Sequence, residues 1–373
     1  MNIPITRIQP QESAALEHLA DIIDEHLAVR AVIRGAAPGE IFVDNARRPR
    51  SALIQAHHRF HLTGDCDNMD FNQALRELFA EEIYPQSLAQ GKEVFGLYFS
   101  EGWELPIREV ILQGRDPIPG QRQVYEIRLK DTLPDWLTAV PSELSMVPVD
   151  RALIEDVRLD NLEDLLEELQ SERESADEFL EKSFGLCLRS EREIVTWCLS
   201  EYNVGTRCEV GIATHPDYRR RGLAAATGTA FLELARQKGM QRVGWHCWAD
   251  NLGSVNTALR LGFQKIRDYP SYLAFFNPTF NLAVNGNICL DHKDYQAANA
   301  WLERALADPD APAWVYIAAG CAAARLDDSG RALTLLRQAV ERGYCNRGNL
   351  EQNPHLQSLH DLPEWHALLD GLG

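Results

Sequence analysis

CEVGIATHPDYRRRGLAAATGTAFLELARQKG, residues 208 to 239, decides how the rest of the chain is read. Its first seven residues suit a strand, His215-Pro216-Asp217 a turn, and Leu223 onwards an amphipathic helix. Between turn and helix stand Arg219, Arg220, Arg221, Gly222, Leu223 and Ala224. The first N–H groups of a helix lack partners within it and sit at the positive end of its dipole, so an anion is welcome there. Gly222 and Ala224 leave this backbone uncovered, which lets a bulky pyrophosphate approach.

Working outward, strands are expected at GLCLRS (185–190), EIVTWCLSEY (193–202) and RCEVGIAT (207–214). A helix follows over 222–238, then a strand RVGWHCWAD (242–250), a short helix over 252–261 and a last strand near 271–276. Upstream, 150–181 is helical and acidic, the pattern of a solvated face, and Pro134, Pro141 and Pro148 punctuate a linker. The front of the chain reads as a helix over 11–34, a turn at 35–39, strands at 41–45 and 51–64, and a helix over 71–83. A strand at 93–99, a short helix over 104–113 and a strand at 124–129 complete it.

This front order parallels the later one. EIFVDN answers EIVTWCLSEYN, ALIQAHHRFHLTG answers CEVGIATHPDYRRRG, and EVFGLYFSEGW answers QRVGWHCWADN. In place of the basic loop the front copy reads GDCDNMD, where Asp65, Asp67 and Asp70 would repel a pyrophosphate. Their spacing fits no regular calcium loop. The front half is therefore expected to be a scaffold that packs on the second half and walls its acceptor site.

R-x-x-G-x-A between a strand and a helix, then a strand, Asn251 and Leu261-Gly262-Phe263, resembles the acetyl-CoA loop of GNAT N-acetyltransferases over about 75 residues. The resemblance implies an α/β (α+β) GNAT fold, tandem with a degenerate N-terminal GNAT-like half, and acetyl-CoA as cosubstrate without a metal. It also implies that the pyrophosphate lies on Arg219 to Ala224, that pantetheine lies along Ile212, Ala213 and Thr214, and that Asn251 contacts CoA. An amine acceptor, protonated at neutral pH, needs a general base. Glu209 is the first candidate and Glu201 the second, although either could serve only to pair with an arginine. A main-chain N–H at a strand bulge would polarise the thioester carbonyl. The family's tyrosine acid, seven residues after the asparagine, is Ala258 here, and its alanine is Ser254. Tyr269 and Tyr272 lie near in sequence. Trp245 faces away from His246 and Trp248, so either face of that strand could line the acceptor slot or fill the core, and His246 is a lesser candidate base. His57 and His61 are expected on one strand face without a third metal ligand. The pattern over roughly 30–277, with FGLCL, IVTWCLSEYN, RCEVGI and GWHCWADN, resembles the subgroup that includes zwittermicin A resistance acetyltransferases. That implies a small-molecule primary amine as acceptor, antibiotics among them.

Residues 279–373 are Ala- and Leu-rich and repeat themselves: Gly286, Ala298, Leu302 and Ala305 recur 34 residues later as Gly320, Ala332, Leu336 and Ala339. The offset resembles TPR repeats, with NLEQNPHLQSLHDLPEWHALL as a cap, and implies an all-α helical domain able to hold a protein partner. The expected domains are thus 1–135, 140–277 and 279–373. A formal charge of −18 argues against nucleic acid and would draw cationic amines. No apolar run reaches the length of a membrane span, the N-terminus lacks a signal-peptide pattern, and eight scattered cysteines without CxxC spacing read as reduced buried thiols. A cytoplasmic soluble protein is expected, with no membrane partner. Besides a small-amine acetyltransferase, the sequence allows a CoA-binding sensor or adaptor, or a protein or peptide N-acetyltransferase.

Overall fold

A computed structural model describes residues 5–9, 15–129 and 140–372. The front half supplies strands β1 (Thr6–Ile8), β2 (Glu40–Val43), β3 (Ser51–Ala56), β4 (Arg59–Gly64), β5 (Val94–Phe99) and β6 (Ile118–Arg128). The second half supplies β7 (Ser145–Pro148), β8 (Gly185–Arg189), β9 (Ile194–Val204), β10 (Arg207–Thr214), β11 (Arg242–Trp248) and β12 (Gln264–Phe275). All twelve join one sheet in the order β1-β2-β3-β4-β5-β12-β6-β11-β10-β9-β8-β7. From either end the order is the same with six added to each number, except that β6 and β12 have changed places. β4 pairs with β5 in parallel, as β10 does with β11. The fold is thus a tandem one, each half lending its last strand to the other's side of the sheet.

The helices of these halves are α1 (Glu17–Ile22), α2 (Leu27–Ile33), α3 (Met69–Leu78), α4 (Tyr84–Ala89) and α5 (Glu104–Pro106), then α6 (Arg151–Ile154), α7 (Leu162–Ser171), α8 (Ala176–Lys182), α9 (Leu223–Gln237) and α10 (Leu252–Arg260). A right-handed crossover needs a helix between parallel strands. α3 does this for β4 and β5, and α9 for β10 and β11.

Several sequence expectations change. The strand expected over 51–64 is a hairpin, because His57 takes a left-handed turn (φ 51°) between β3 and β4. Apolar residues continue through both arms, and the turn carries neither Gly nor Pro, so the run reads as one strand. β2 therefore answers β8, β3 answers β9 and β4 answers β10, which moves EIFVDN opposite GLCLRS. His57, being in the turn, does not share a strand face with His61. The helix expected over 11–34 is two, α1 and α2, with His26 between them. The start of that helix, at 11–14, and Pro134 of the linker lie outside the described residues. The acidic stretch 150–181 divides into α6, α7 and α8, since Asp150 and Ser175 cap new starts by accepting from the N–H groups of Leu153 and Glu178. The last strand begins at Gln264 rather than near 271.

Contacts group the chain into two units: Met1–Phe79, Phe95–Ile111 and Pro119–Tyr272 in one, and Ala80–Val94, Leu112–Ile118 and Leu273–Gly373 in the other. The stretches expected as domains 1–135 and 140–277 share the sheet of the first unit. The second unit keeps the tail but also takes two short pieces of the front half. Within it, Arg115 donates to the carbonyl of Phe276 (2.7 Å) and lies 3.8 Å over the Tyr84 ring, and Asn285 donates to the carbonyl of Asp116 (3.0 Å). Its helices are α11 (Pro278–Asp291), α12 (Tyr295–Leu306), α13 (Ala313–Arg325), α14 (Ser329–Glu341), α15 (Arg347–Gln352) and α16 (Pro363–Asp370). The repeated small residues let paired helices approach: a Cβ on Gly286 would meet Leu302 Cγ at 2.6 Å, and one on Gly320 would meet Leu336 at 3.1 Å. Among the described residues no helix is long and apolar enough to cross a membrane, and all eight cysteines are free thiols.

Candidate active site

Pairing of β10 with β11 runs from Arg207↔Arg242 to Glu209↔Gly244 and stops there. Beyond it Val210 to Thr214 stay bonded to β9 only, so the side of β10 that faces β11 keeps its main-chain groups open. The register of β9 against β10 also slips at this point: Tyr202 opposes Glu209 and Ser200 opposes Val210, which leaves Glu201 as an extra, bulged residue. Bulges re-aim side chains. Here the bulge lets Glu201 share a cleft with Glu209, and Gly211 makes room for it, since a Cβ there would lie 2.2 Å from Glu201 Oε1.

Two cavities meet at the splay. One, of about 620 Å³, is lined by Ile212, Ala213 and Thr214 of β10, by Arg219, Arg220, Gly222, Leu223 and Ala224 of the loop and α9, and by Asn251. The loop is pinned where Arg219 Nε donates to the carbonyl of Thr214 (3.2 Å) and Tyr218 donates to Glu193 (2.8 Å). Arg220 and Gly222 are both left-handed, at φ 61° and 80°. Among the described residues no side chain caps α9, so its first N–H groups remain open to a ligand. Arg221 does not join this lining: its guanidinium lies 5.2 Å from the Tyr218 ring centroid. Asn251 caps α10 by accepting from Ser254 N (3.0 Å) and touches both cavities. Ala258 is fully buried in the core beneath α10. In the front half the corresponding helix, α3, is capped by Asn68, whose amide also donates to Asp44 and Ser51.

The second cavity, about 210 Å³, is lined by Glu201, Glu209, Glu168, Arg59, Arg122 and His246 among others. Arg59 reaches in from β4. It lies 2.5 Å from Glu172, 3.4 Å from Glu201 and 3.9 Å from Glu209. Glu172 also accepts from the Tyr202 hydroxyl. Burial pushes the Glu209 carboxyl up to about 8; Glu201 adds to this and Arg59 opposes it. Burial likewise lifts Glu172 to about 7. Glu209 Oε2 is buried without a hydrogen-bond partner, 4.0 Å from His246 Nε2. His246 Nε2 faces the carbonyl of Glu25 (3.1 Å), to which it must donate, leaving Nδ1 to accept from Tyr269 (2.7 Å). Burial, with Arg122 and Arg59 nearby, holds this imidazole neutral. His246 is therefore a fixed wall, with both nitrogens engaged. His26 stacks against it at 5.1 Å and meets His61 edge-on at 5.2 Å. Tyr272 turns away to stack on Phe99.

The model of the GNAT acetyltransferase family matches residues 17–272. The chain belongs to that family. It is 23% identical over 247 residues to YdfB, an uncharacterized N-acetyltransferase of Bacillus subtilis, a match covering 65% of this chain and 88% of that one. A GCN5-related N-acetyltransferase-like protein from Streptococcus suis superposes with a TM-score of 0.53 at 20% identity, covering 72% of this chain and all of that one. A GCN5-related N-acetyltransferase from Sphaerobacter thermophilus gives 0.48 at 17% identity, covering 73% and 96%.

In this GNAT acetyltransferase the structure brings Glu209, Glu201, Ile212 to Thr214, Arg219, Arg220, Gly222 to Ala224 and Asn251 to one pair of joined cavities, and leaves Arg221 outside the lining. Arg59, Glu172, Arg122 and His26 were not singled out from sequence. Arg59 stands in HHRFH without a motif, and the front half also comes close to Glu209 through Asp24, which accepts from Arg207, and Glu25, whose carbonyl faces His246. Among the described residues no group of three or more His, Cys, Asp or Glu is placed to hold a metal ion.

Proposed function

We propose that this protein transfers the acetyl group of acetyl-CoA to a primary amine of a small molecule, with Glu209 as general base. The single observation that carries this reading is the end of β10–β11 pairing at Glu209↔Gly244, beside an uncapped α9. The residues present fit the cosubstrate. N–H groups of Gly222, Leu223 and Ala224 and the guanidinium groups of Arg219 and Arg220 would hold pyrophosphate, with Arg221 adding charge at the rim. The open main chain of Ile212, Ala213 and Thr214 would hold pantetheine, and Asn251 closes the join between the cavities. When bound, acetyl-CoA supplies an acetyl group on a good leaving group. Glu209 accepts the ammonium proton and so frees the amine lone pair. Arg59 keeps Glu209, Glu201 and Glu172 in one place and lowers the cost of the charge. Ala258 can donate no proton at the family's usual acid position, so thiolate protonation falls to another group or to water. The acidic cleft and the −18 charge favour a cationic acceptor, in line with the zwittermicin A resistance subgroup. Free thiols suit the cytoplasm.

A second reading, a CoA-binding sensor or adaptor, is favoured by Ala258 and by the helical hairpins repeating at 34 residues, whose TPR-like form would recruit a protein. Thiol release from acetyl-CoA with polyamines, aminoglycosides and peptides separates the readings. Turnover that Glu209→Gln abolishes, with CoA binding retained, supports catalysis; binding with no turnover on any amine supports the sensor. Activity on peptides alone would make the acceptor a protein.

A further inference from the structure

The cleft around Glu209 has a second end. Arg122 of β6 opposes Trp248 of β11, and Val124 opposes His246. Cross-strand neighbours and alternate residues share a sheet face, so Arg122, Trp248, His246 and Glu209, which opposes Gly244, all line one side. Glu209 and Arg122 stand on the strands that flank β11, separated by about 13 Å along it and by two strand spacings, about 10 Å, across it, a span that their long side chains narrow.

Arg122 differs from Arg59 in its company. Arg59 meets three carboxylates. Arg122 donates to the Tyr98 hydroxyl (3.3 Å) and sits near that of Tyr269, and among the described residues its buried Nε has no acceptor. Among the described residues no carboxylate lies within ion-pair distance of it. Its guanidinium is held in place from the side, 4.9 Å from the Trp248 ring centroid and 5.4 Å from that of Tyr98. Gly120 fixes Trp248 in turn, since a Cβ there would meet the indole at 2.4 Å. A positioned, largely buried guanidinium with open donors and no anion is costly unless a ligand supplies one. A guanidinium fork also matches a carboxylate in geometry.

We propose that the acceptor is an amino acid-like zwitterion, its carboxylate held by Arg122 while its amine faces Glu209. This rests on the reading of Glu209 as base and adds the substrate class. The carboxyl groups of Glu209, Glu201 and Glu168 would then face the ammonium group, and Arg122 the opposite charge.

The test compares thiol release with free amino acids, with their carboxamides and with the corresponding amines lacking a carboxylate. The wild-type protein should favour the acids by about a hundredfold in kcat/KM, the loss typical when one member of a buried charge pair is removed. Arg122→Gln should raise KM for acids by a similar factor, leave the carboxamides within about threefold, and so erase the preference. Carboxamides used as well as acids by the wild type would overturn this proposal and leave the base intact. An equal fall of kcat on acids and carboxamides in Arg122→Gln would overturn it too, because Arg122 would then act in the transfer step. Acetyl-CoA binding with no turnover on any amine would instead remove the base reading beneath it. Calorimetry with CoA checks that the variant is folded, and the wild-type panel decides the matter even where the variant is not.

Discussion

Replacing Glu201 by Gln should make the enzyme faster at neutral pH. As the proposed base Glu209 must be ionised to take a proton, and burial together with the charge of Glu201 holds its carboxyl at about 8. At pH 7 about one-eleventh of the molecules then carry a working base, and the rate rises with pH through one ionisation. Both carboxylates sit against Arg59, at 3.4 and 3.9 Å, and at an effective dielectric of about 20 like charges repel by about 4 kcal/mol at about 4 Å and by less beyond it. The guanidinium and water in the open cleft should cut this to about one pH unit of midpoint shift. Glu201→Gln keeps the shape beside Gly211 and removes the charge. The midpoint should fall to about 7, and kcat at pH 7 should rise about fivefold while its plateau stays near the wild-type value. The assay is thiol release with both substrates saturating, from about pH 6 to 9, with the same acceptor throughout so that its own ionisation cancels. A midpoint that stays near 8, or moves upward, would refute the electrostatic reasoning. So would an unchanged ionisation in Glu209→Gln.

Glu209→Gln should also change stability in a defined window. A carboxyl whose folded value is raised contributes fully below its unfolded value and loses that contribution as pH rises through about 8, so the variant's melting temperature should gain on wild type from about pH 5 to 8 and then run parallel. A constant gap across that range would contradict the burial of this charge. Gly222→Ala puts a side chain at φ 80°, at a cost of about 1 kcal/mol, and covers an anion-facing backbone; calorimetry should show acetyl-CoA affinity reduced about tenfold with acceptor KM little changed. The two repeat glycines should respond differently. Gly286→Ala forces a methyl to 2.6 Å from Leu302 and should lower stability by about 1–2 kcal/mol, whereas Gly320→Ala, at 3.1 Å, should be near neutral because helix propensity offsets the crowding. Denaturant titrations that rank them the other way would refute the reading that crowding by Leu302 and Leu336 sets the difference.

The cavity beside the α9 start, where the proposed cofactor would lie, was legible because it is local. Cys208 to Ala224 contains a strand, a turn and a helix start in one continuous piece, and helix-end chemistry depends on backbone that sequence reveals directly. Glu209 lies within that piece and Glu201 on the strand before it, so their nearness to one another was legible for the same reason. The bulge that turns Glu201 inward was not, since it depends on a register that β10 imposes. Arg59 and Arg122 were invisible for a different reason: Arg122 meets the site through the pairing of β6 with the distant β11, Arg59 through ion pairs to residues more than a hundred positions away, and neither belongs to a motif. The hairpin at His57 escaped notice because its two arms are apolar throughout and the turn uses a left-handed His. The repeat at 34 residues was plain from its small residues, yet the pieces 80–94 and 112–118 that group with it carry no such signature.

The exchange of β6 and β12 has a consequence for how this chain is made. β6 ends at Arg128, but both of its sheet neighbours, β11 and β12, are synthesised more than a hundred residues later. While the ribosome is still extending the chain, the front half holds an unsatisfied strand whose backbone groups have nowhere to go. Cutting the gene between the halves would leave each fragment with an orphan edge of this kind, so neither should survive by itself, and mixing the two should restore a sheet that each lacks.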